Sequence, residues 1–429
     1  MLDLRIDAAA AAVDGDVRPA SVGVRDGVIV SLAPSEPAAE VVALGPDEVL
    51  LPGLVDTHVH IDEPGPSDLE GFASASRAAA AGGVTTLVDM PLDSSPVTTS
   101  VAALAAKRAA ARASATVQVG FWGGLVPGNL AELPALADAG VLGFKCFLSG
   151  SGNPEFPPVS FRELLAGLTA CAQLSLPLLV HAEHDDLTTA PSGPVYRTFL
   201  ASRPDASEVA AVRAVVEAVR RTGGHAHIVH VSTAQCLPLI AAAKAEGLPV
   251  TAETCPHYLA LAAEDVPDGA TEFACWPPVR PAANAEELWA ALSDGTIDMI
   301  VSDHSPAPAA AKLTGDFGTA WGGISSLQLG LCAAWTAGAP RGIPLAEIAG
   351  WMSAAPAALA GYGDRGRIAI GLRGDLTSFD TSAVWRVDPH RLRHRQPVTA
   401  YAGRTLTGRV GRTWLAGREL ALNEAAARG

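Results

Sequence analysis

Apolar and polar positions along this chain change rhythm twice. Up to about residue 50 they describe short strands broken by turns: 20–24, then Asp26-Gly27, then 28–32. Asp-Gly between two apolar runs favours the positive-φ turn of a β-hairpin. From Val49 onward, short apolar runs alternate with alanine-rich stretches of helical period, starting with Phe72–Ala81 followed by 85–88. Further strands are predicted at 118–122, 143–147, 177–180, 226–231, 249–254 and 299–301. Strand–helix alternation on this scale predicts an α/β chain of parallel βαβ units, and about eight of them is a barrel count. After about residue 357 the helical period stops, and 366–371 through 410–417 again read as strands and turns. The expected division is a barrel over 51–356 and one small β domain assembled from 1–50 and 357–429.

With 429 residues, about half of them apolar, the chain has ample material for such a core. A formal net charge of -15 without basic runs argues against nucleic acid or an anionic membrane surface as partner and favours a small molecule. Six cysteines stand apart with no Cys-x-x-Cys pair, as expected of reduced thiols in the cytoplasm. No basic segment followed by an apolar stretch opens the chain, and no apolar run has the length of a membrane span.

The strongest local signal is Val55-Asp56-Thr57-His58-Val59-His60. Histidines two apart on a strand project from one face, and at its C-terminal end they can chelate one cation. Alone, such a pair is equally well read as two hydrogen-bonded histidines. Other predicted strands also run into titratable residues, however: 178–180 into His181, 227–229 into His230, and 298–302 into Asp303-His304. In a parallel barrel these ends share one rim. Lys145, inside the apolar run 143–147, is the odd member, because a cation in a strand core must be paired or chemically altered. A lysine with a depressed pKa can add CO2 and become a carbamate that bridges two metal ions; pairing to a barrel carboxylate is the alternative.

This series resembles the cyclic amidohydrolase branch of the amidohydrolase superfamily, the dihydroorotases, hydantoinases and allantoinases. The resemblance implies a distorted TIM barrel flanked by a small β-sandwich domain. It also implies two divalent metal ions, usually zinc, held by His58, His60, carboxylated Lys145, His181, His230 and Asp303. His58, His60 and Asp303 would hold one ion, His181 and His230 the other, with Lys145 spanning both. A hydroxide shared by the metals would attack the ring carbonyl, and Asp303, as the catalytic residue, would take its proton and deliver it to the departing nitrogen. Stretches such as Asp89-Met90-Pro91-Leu92, Glu253-Thr254-Cys255-Pro256-His257-Tyr258 and Trp321-Gly322-Gly323-Ile324 look like the allantoinases within that branch. The expected reaction is therefore opening of allantoin to allantoate, with hydantoin, dihydropyrimidine or dihydroorotate rings as alternatives and a non-catalytic scaffold as the reading from another class. A homo-oligomer, a tetramer by analogy, is implied too.

Ser149, Trp276, Gly322 and Gly323 are the candidate substrate contacts. Two of the departures from the branch pattern are Trp276, where a small residue normally precedes Pro-Pro, and Asp93, where allantoinases usually carry Asn. Arg280 and Asn284 read as surface or structural groups, and His184 and His257 as at most supports for ligands.

Overall fold

The computed structural model describes residues 1–34, 36–65 and 69–421, so the predicted C-terminal segment beyond residue 421 lies outside the described residues. Five strands come first: β1 (Leu2–Val13), β2 (Asp16–Arg25), β3 (Val28–Ser31), β4 (Ala38–Ala43) and β5 (Glu48–Pro52). Nine follow in the middle of the chain: β6 (Leu54–Val59), β7 (Val84–Asp89), β8 (Gln118–Phe121), β9 (Gly123–Gly124), β10 (Phe144–Phe147), β11 (Leu178–His181), β12 (Ala226–Ile228), β13 (Val250–Thr254) and β14 (Met299–Ile300). The last three are β15 (Leu376–Arg386), β16 (Thr405–Leu415) and β17 (Arg418–Glu419).

β6 to β14 pair in parallel and in chain order. β8 pairs with β7 and β9 with β10, with only Trp122 between them, so these two act as one stave of eight. The barrel closes where Val59 bridges His304 and the His60 N–H donates to the His304 carbonyl at 2.8 Å. Covered on both faces, the barrel strands must be apolar or small throughout; every residue of β6, β7, β10 and β11 is buried. Helices between the staves form the outer layer, and their ends follow local chemistry. Ser160 and Glu163, for example, form a capping box at the start of Phe161–Leu174. Among the described residues no helix is long and apolar enough to cross a membrane.

β1 to β5 and β15 to β17 form one eight-stranded mixed sheet with its own core, which includes Ile6, Val22, Leu376 and Trp414. β1 slips register between Ala8 and Ala11; its first half pairs with β4 and its second with β5, so the sheet folds over as a β-sandwich. The run Ala8 to Ala12 lies in this strand, although alanine favours helix. Alternate burial of Leu2, Leu4, Ile6 and Ala8 against the sandwich core outweighs that propensity.

Two predicted strands are shorter than expected. The run 226–231 pairs only as far as Ile228, because His230 takes a left-handed φ of 40°. The run 299–301 stops at Ile300, before Asp303 at φ 45°.

Candidate metal-dependent active site

Five barrel strands deliver the six expected ligands to one rim. His58 is the next-to-last residue of β6 with His60 just past its end, Lys145 lies in β10, His181 ends β11, His230 follows β12, and Asp303 follows β14. All six line a cavity of 630 Å³. His58 Nε2 stands 3.1 Å and His60 Nε2 3.4 Å from the same oxygen, Asp303 Oδ1. His181 Nδ1 and His230 Nε2 stand 2.9 Å apart. Single ligand atoms of His58, His230 and Asp303 lie within 4.8 Å of one another. The left-handed backbone at His230 and Asp303 costs about 1–2 kcal/mol in a non-glycine residue, which the surrounding barrel must hold in place.

The outward-facing nitrogens explain why the rings point inward. His58 Nδ1 meets Glu253 Oε1 at 2.5 Å, and His181 Nε2 meets Glu183 Oε2 at 2.8 Å. A carboxylate on one ring nitrogen fixes the tautomer and leaves the other as a lone-pair donor, the usual support for a metal-bound imidazole. Glu253 also takes His227 Nε2 at 2.9 Å and the His230 N–H at 3.3 Å, so one buried carboxylate orients several parts of the cluster. Burial raises the Glu253 pKa, but His58 and His227 outweigh it and bring it down to about 2. Arg203 reaches Glu183 at 3.4 Å.

Protonation follows from these contacts. Burial lowers the pKa of His58, His181 and His230, which keeps them in the neutral, ligand-competent form. Burial also works against protonating His60, but Asp303 and Asp93 prevail and lift it to about 10. A metal binding there must displace that proton. Asp303 resists burial too: His58, His60 and His230 hold its carboxyl well below the usual range. Burial brings Lys145 down to about 8 against the pull of Asp303 and Glu253. Four imidazoles, one carboxylate and one lysine with an accessible neutral form suit borderline divalent cations.

Trp276 and Gly322 also line the cavity, as does Asp93, whose Oδ2 is 3.3 Å from His60 Nδ1. Ser149 precedes residues 150–155, which line the cavity, but its own side chain is buried with the hydroxyl unpaired. The Gly323 N–H is given to the Ala274 carbonyl at 3.0 Å, so it is not free to face a ligand. Arg280 is buried and structural: it donates to Glu208 Oε1, Ser232 Oγ and the Arg203 carbonyl. Asn284 similarly ties the Ser232 carbonyl to the Ala234 N–H. His257 is buried with both ring nitrogens unpaired, close to Cys255 and Asp303. Sequence reasoning missed Glu253, Glu183 and Arg203 as supports. A carboxylate inside the buried run 250–254 and another two residues beyond His181 were the available signals for the first two; Arg203 left none.

The amidohydrolase family model matches residues 49–420. Allantoinase from Streptomyces avermitilis is 51% identical over 94% of this chain and 92% of its own length. Allantoinase from Arabidopsis thaliana is 44% identical over 92% and 84%. Among solved structures, L-hydantoinase from Arthrobacter aurescens superposes with a TM-score of 0.94 at 29% identity, covering 98% of this chain and 96% of that one. With its barrel, its terminal sandwich and a ligand set at one rim, the chain belongs to the amidohydrolase family as a cyclic amidohydrolase.

Proposed function

We propose that this chain opens allantoin to allantoate with two divalent metal ions, zinc first among them, held by His58, His60, Lys145, His181, His230 and Asp303. The observation that carries the reading is the meeting of these six side chains in one cavity, two of the histidines being backed by buried carboxylates. Bound there, the metals would supply a water-derived nucleophile at neutral pH and polarise the ring carbonyl. The remaining work falls to the chain. Asp303, ionised across the working pH range, accepts the proton of the attacking water and returns it to the ring nitrogen that departs. Lys145 would take part as its N-carboxylate, formed when the neutral amine that burial favours adds CO2 and releases a proton, and would serve as a ligand to both ions. Glu253 and Glu183 keep His58 and His181 aimed at the metals. Trp276 and Gly322 bound the space for the ring, with Ser149 and Gly323 shaping the loops behind it.

The high identity to allantoinases favours this substrate. Likeness to the L-hydantoinase structure makes hydantoin and dihydropyrimidine rings the second reading. Free, buried cysteines support a reducing, cytoplasmic setting, and a homotetramer is the assembly the family suggests. The test is ring opening of allantoin, hydantoin, dihydrouracil and dihydroorotate by protein loaded with zinc and bicarbonate. Preference for allantoin is expected, and turnover of another ring alone would replace the substrate.

A further inference from the structure

The wall of the cavity carries this chain's own departure, Trp276, and its surroundings are built to hold it. On one face of the indole lies the Arg203 guanidinium, 4.6 Å from the ring centroid. Against it lies Gly322, where an added Cβ would come within 2.8 Å of the indole, so only glycine lets the two segments meet. At the ring's outer edge is Gly152, where a Cβ would lie 3.5 Å away. Behind, Lys312 Nζ donates to the Ala274 carbonyl at 2.6 Å and the Trp321 carbonyl at 2.7 Å. One buried ammonium thus ties the segment bearing Trp276 to the segment bearing Gly322. Arg203 also contacts Glu183, the carboxylate on His181, so the indole is fixed relative to the ligand set.

We propose that Trp276, clamped by Arg203 and Gly322 and stapled from behind by Lys312, is a rigid size filter. It admits rings bearing a small polar substituent and excludes rings bearing a bulky apolar one. Asp93, Ser94, Asn153, Glu155 and Ser305 supply polar partners for a small polar substituent, beside the apolar Leu69, Leu92, Phe147 and Trp321. Rigidity is what makes a wall selective: an indole free to swing aside would let a larger substituent displace it at little cost, whereas one held by the Arg203 guanidinium and pressed against Gly322 must be strained to yield. Trp276 would touch the substrate; Arg203 and Lys312 are positioning residues acting through it. The inference rests on the ring-opening reading above.

The experiment compares kcat/KM for allantoin, hydantoin and 5-benzylhydantoin in wild type, Trp276→Ala, Trp276→Phe and Gly322→Ala, each with its metal content measured. Trp276→Ala should raise the benzylhydantoin-to-allantoin ratio by about 10-fold or more, the scale expected when a hydrophobic wall is removed. Trp276→Phe, which keeps most of the wall, should stay within about 3-fold of wild type. Gly322→Ala should loosen selectivity through the displaced indole, even if Trp276→Ala folds poorly. Arg203→Lys keeps a cation for Glu183 but loses the guanidinium over the indole; it should relax selectivity while retaining metal, whereas Arg203→Met should lose metal as well. An unchanged ratio in metal-replete Trp276→Ala overturns the filter. If wild type opens no ring, the functional reading falls. Calorimetric binding of the same rings to wild type and to Trp276→Ala then decides the filter separately: loss of size discrimination in the variant supports it, and equal discrimination overturns it.

Discussion

Replacing Lys312 with methionine should stabilise the protein at pH 6 and lose most of that advantage by pH 9. Lys312 is buried, and among the described residues its ammonium has no hydrogen-bonded carboxylate and donates to the carbonyls of Ala274 and Trp321. Burial lowers its pKa from the ordinary 10.5 to about 7. That drop corresponds to about 5 kcal/mol of disfavour toward the charged form in the folded state. Because the folded pKa lies below the unfolded one, both states hold the proton below about pH 7 and the full penalty applies. Between about 7 and 10.5 the unfolded chain binds more protons, so stability rises with pH; wild type should gain about 3 kcal/mol from this group between pH 6 and pH 9. Methionine has no proton to lose and fills a similar volume. Its cost is the Trp321 carbonyl left unpaired, about 1–3 kcal/mol, since the Ala274 carbonyl keeps the Gly323 N–H. Lys312→Met should therefore be more stable than wild type at pH 6 by about 2–4 kcal/mol and within about 1 kcal/mol of it at pH 9. Urea unfolding followed by near-ultraviolet dichroism, on both proteins at both pH values and at matched metal loading, gives the difference with other titrations cancelled. A wild-type-minus-variant difference that stays constant within about 1 kcal/mol would refute a buried, titrating ammonium at this position.

Glu253→Gln removes the charge that orients His58 and His227, and metal affinity should fall about 10- to 100-fold by competition with a chelating dye, while the barrel's far-ultraviolet spectrum is kept. Lys145→Ala should lose at least one metal equivalent and most activity, and added short-chain carboxylates should restore part of it; a variant that retained both metals would exclude the bridge. Exhaustive chelation should abolish ring opening, with recovery needing metal and improving with bicarbonate; full activity in verified metal-free protein would refute the metal-dependent reading.

Much of this site is legible without coordinates because a parallel barrel converts sequence position into spatial position. A ligand residue at the C-terminal end of a buried strand reaches the same rim wherever it falls in the chain, so His58, His60, His181, His230 and Asp303 can be grouped from pattern alone. Lys145 stands out because a cation inside an apolar run needs a chemical explanation. The supporting layer is different in kind. Glu253 serves His58 from 195 residues away, and Arg203 meets both Glu183 and Trp276 by side-chain reach, which no period or spacing encodes. The alanine run in β1 was equally opaque, since its strand conformation comes from β2 on one side and β5 on the other and not from local preference. What the sequence determined by itself was the periodicity of barrel and sandwich and the donor residues at strand ends, because both follow from backbone geometry repeated along the chain. Only the tertiary structure decided which carboxylate backs which histidine, that the Gly323 N–H is already taken, and that Trp276 is clamped, because those depend on side chains meeting across strands whose separation in sequence carries no information about their contact.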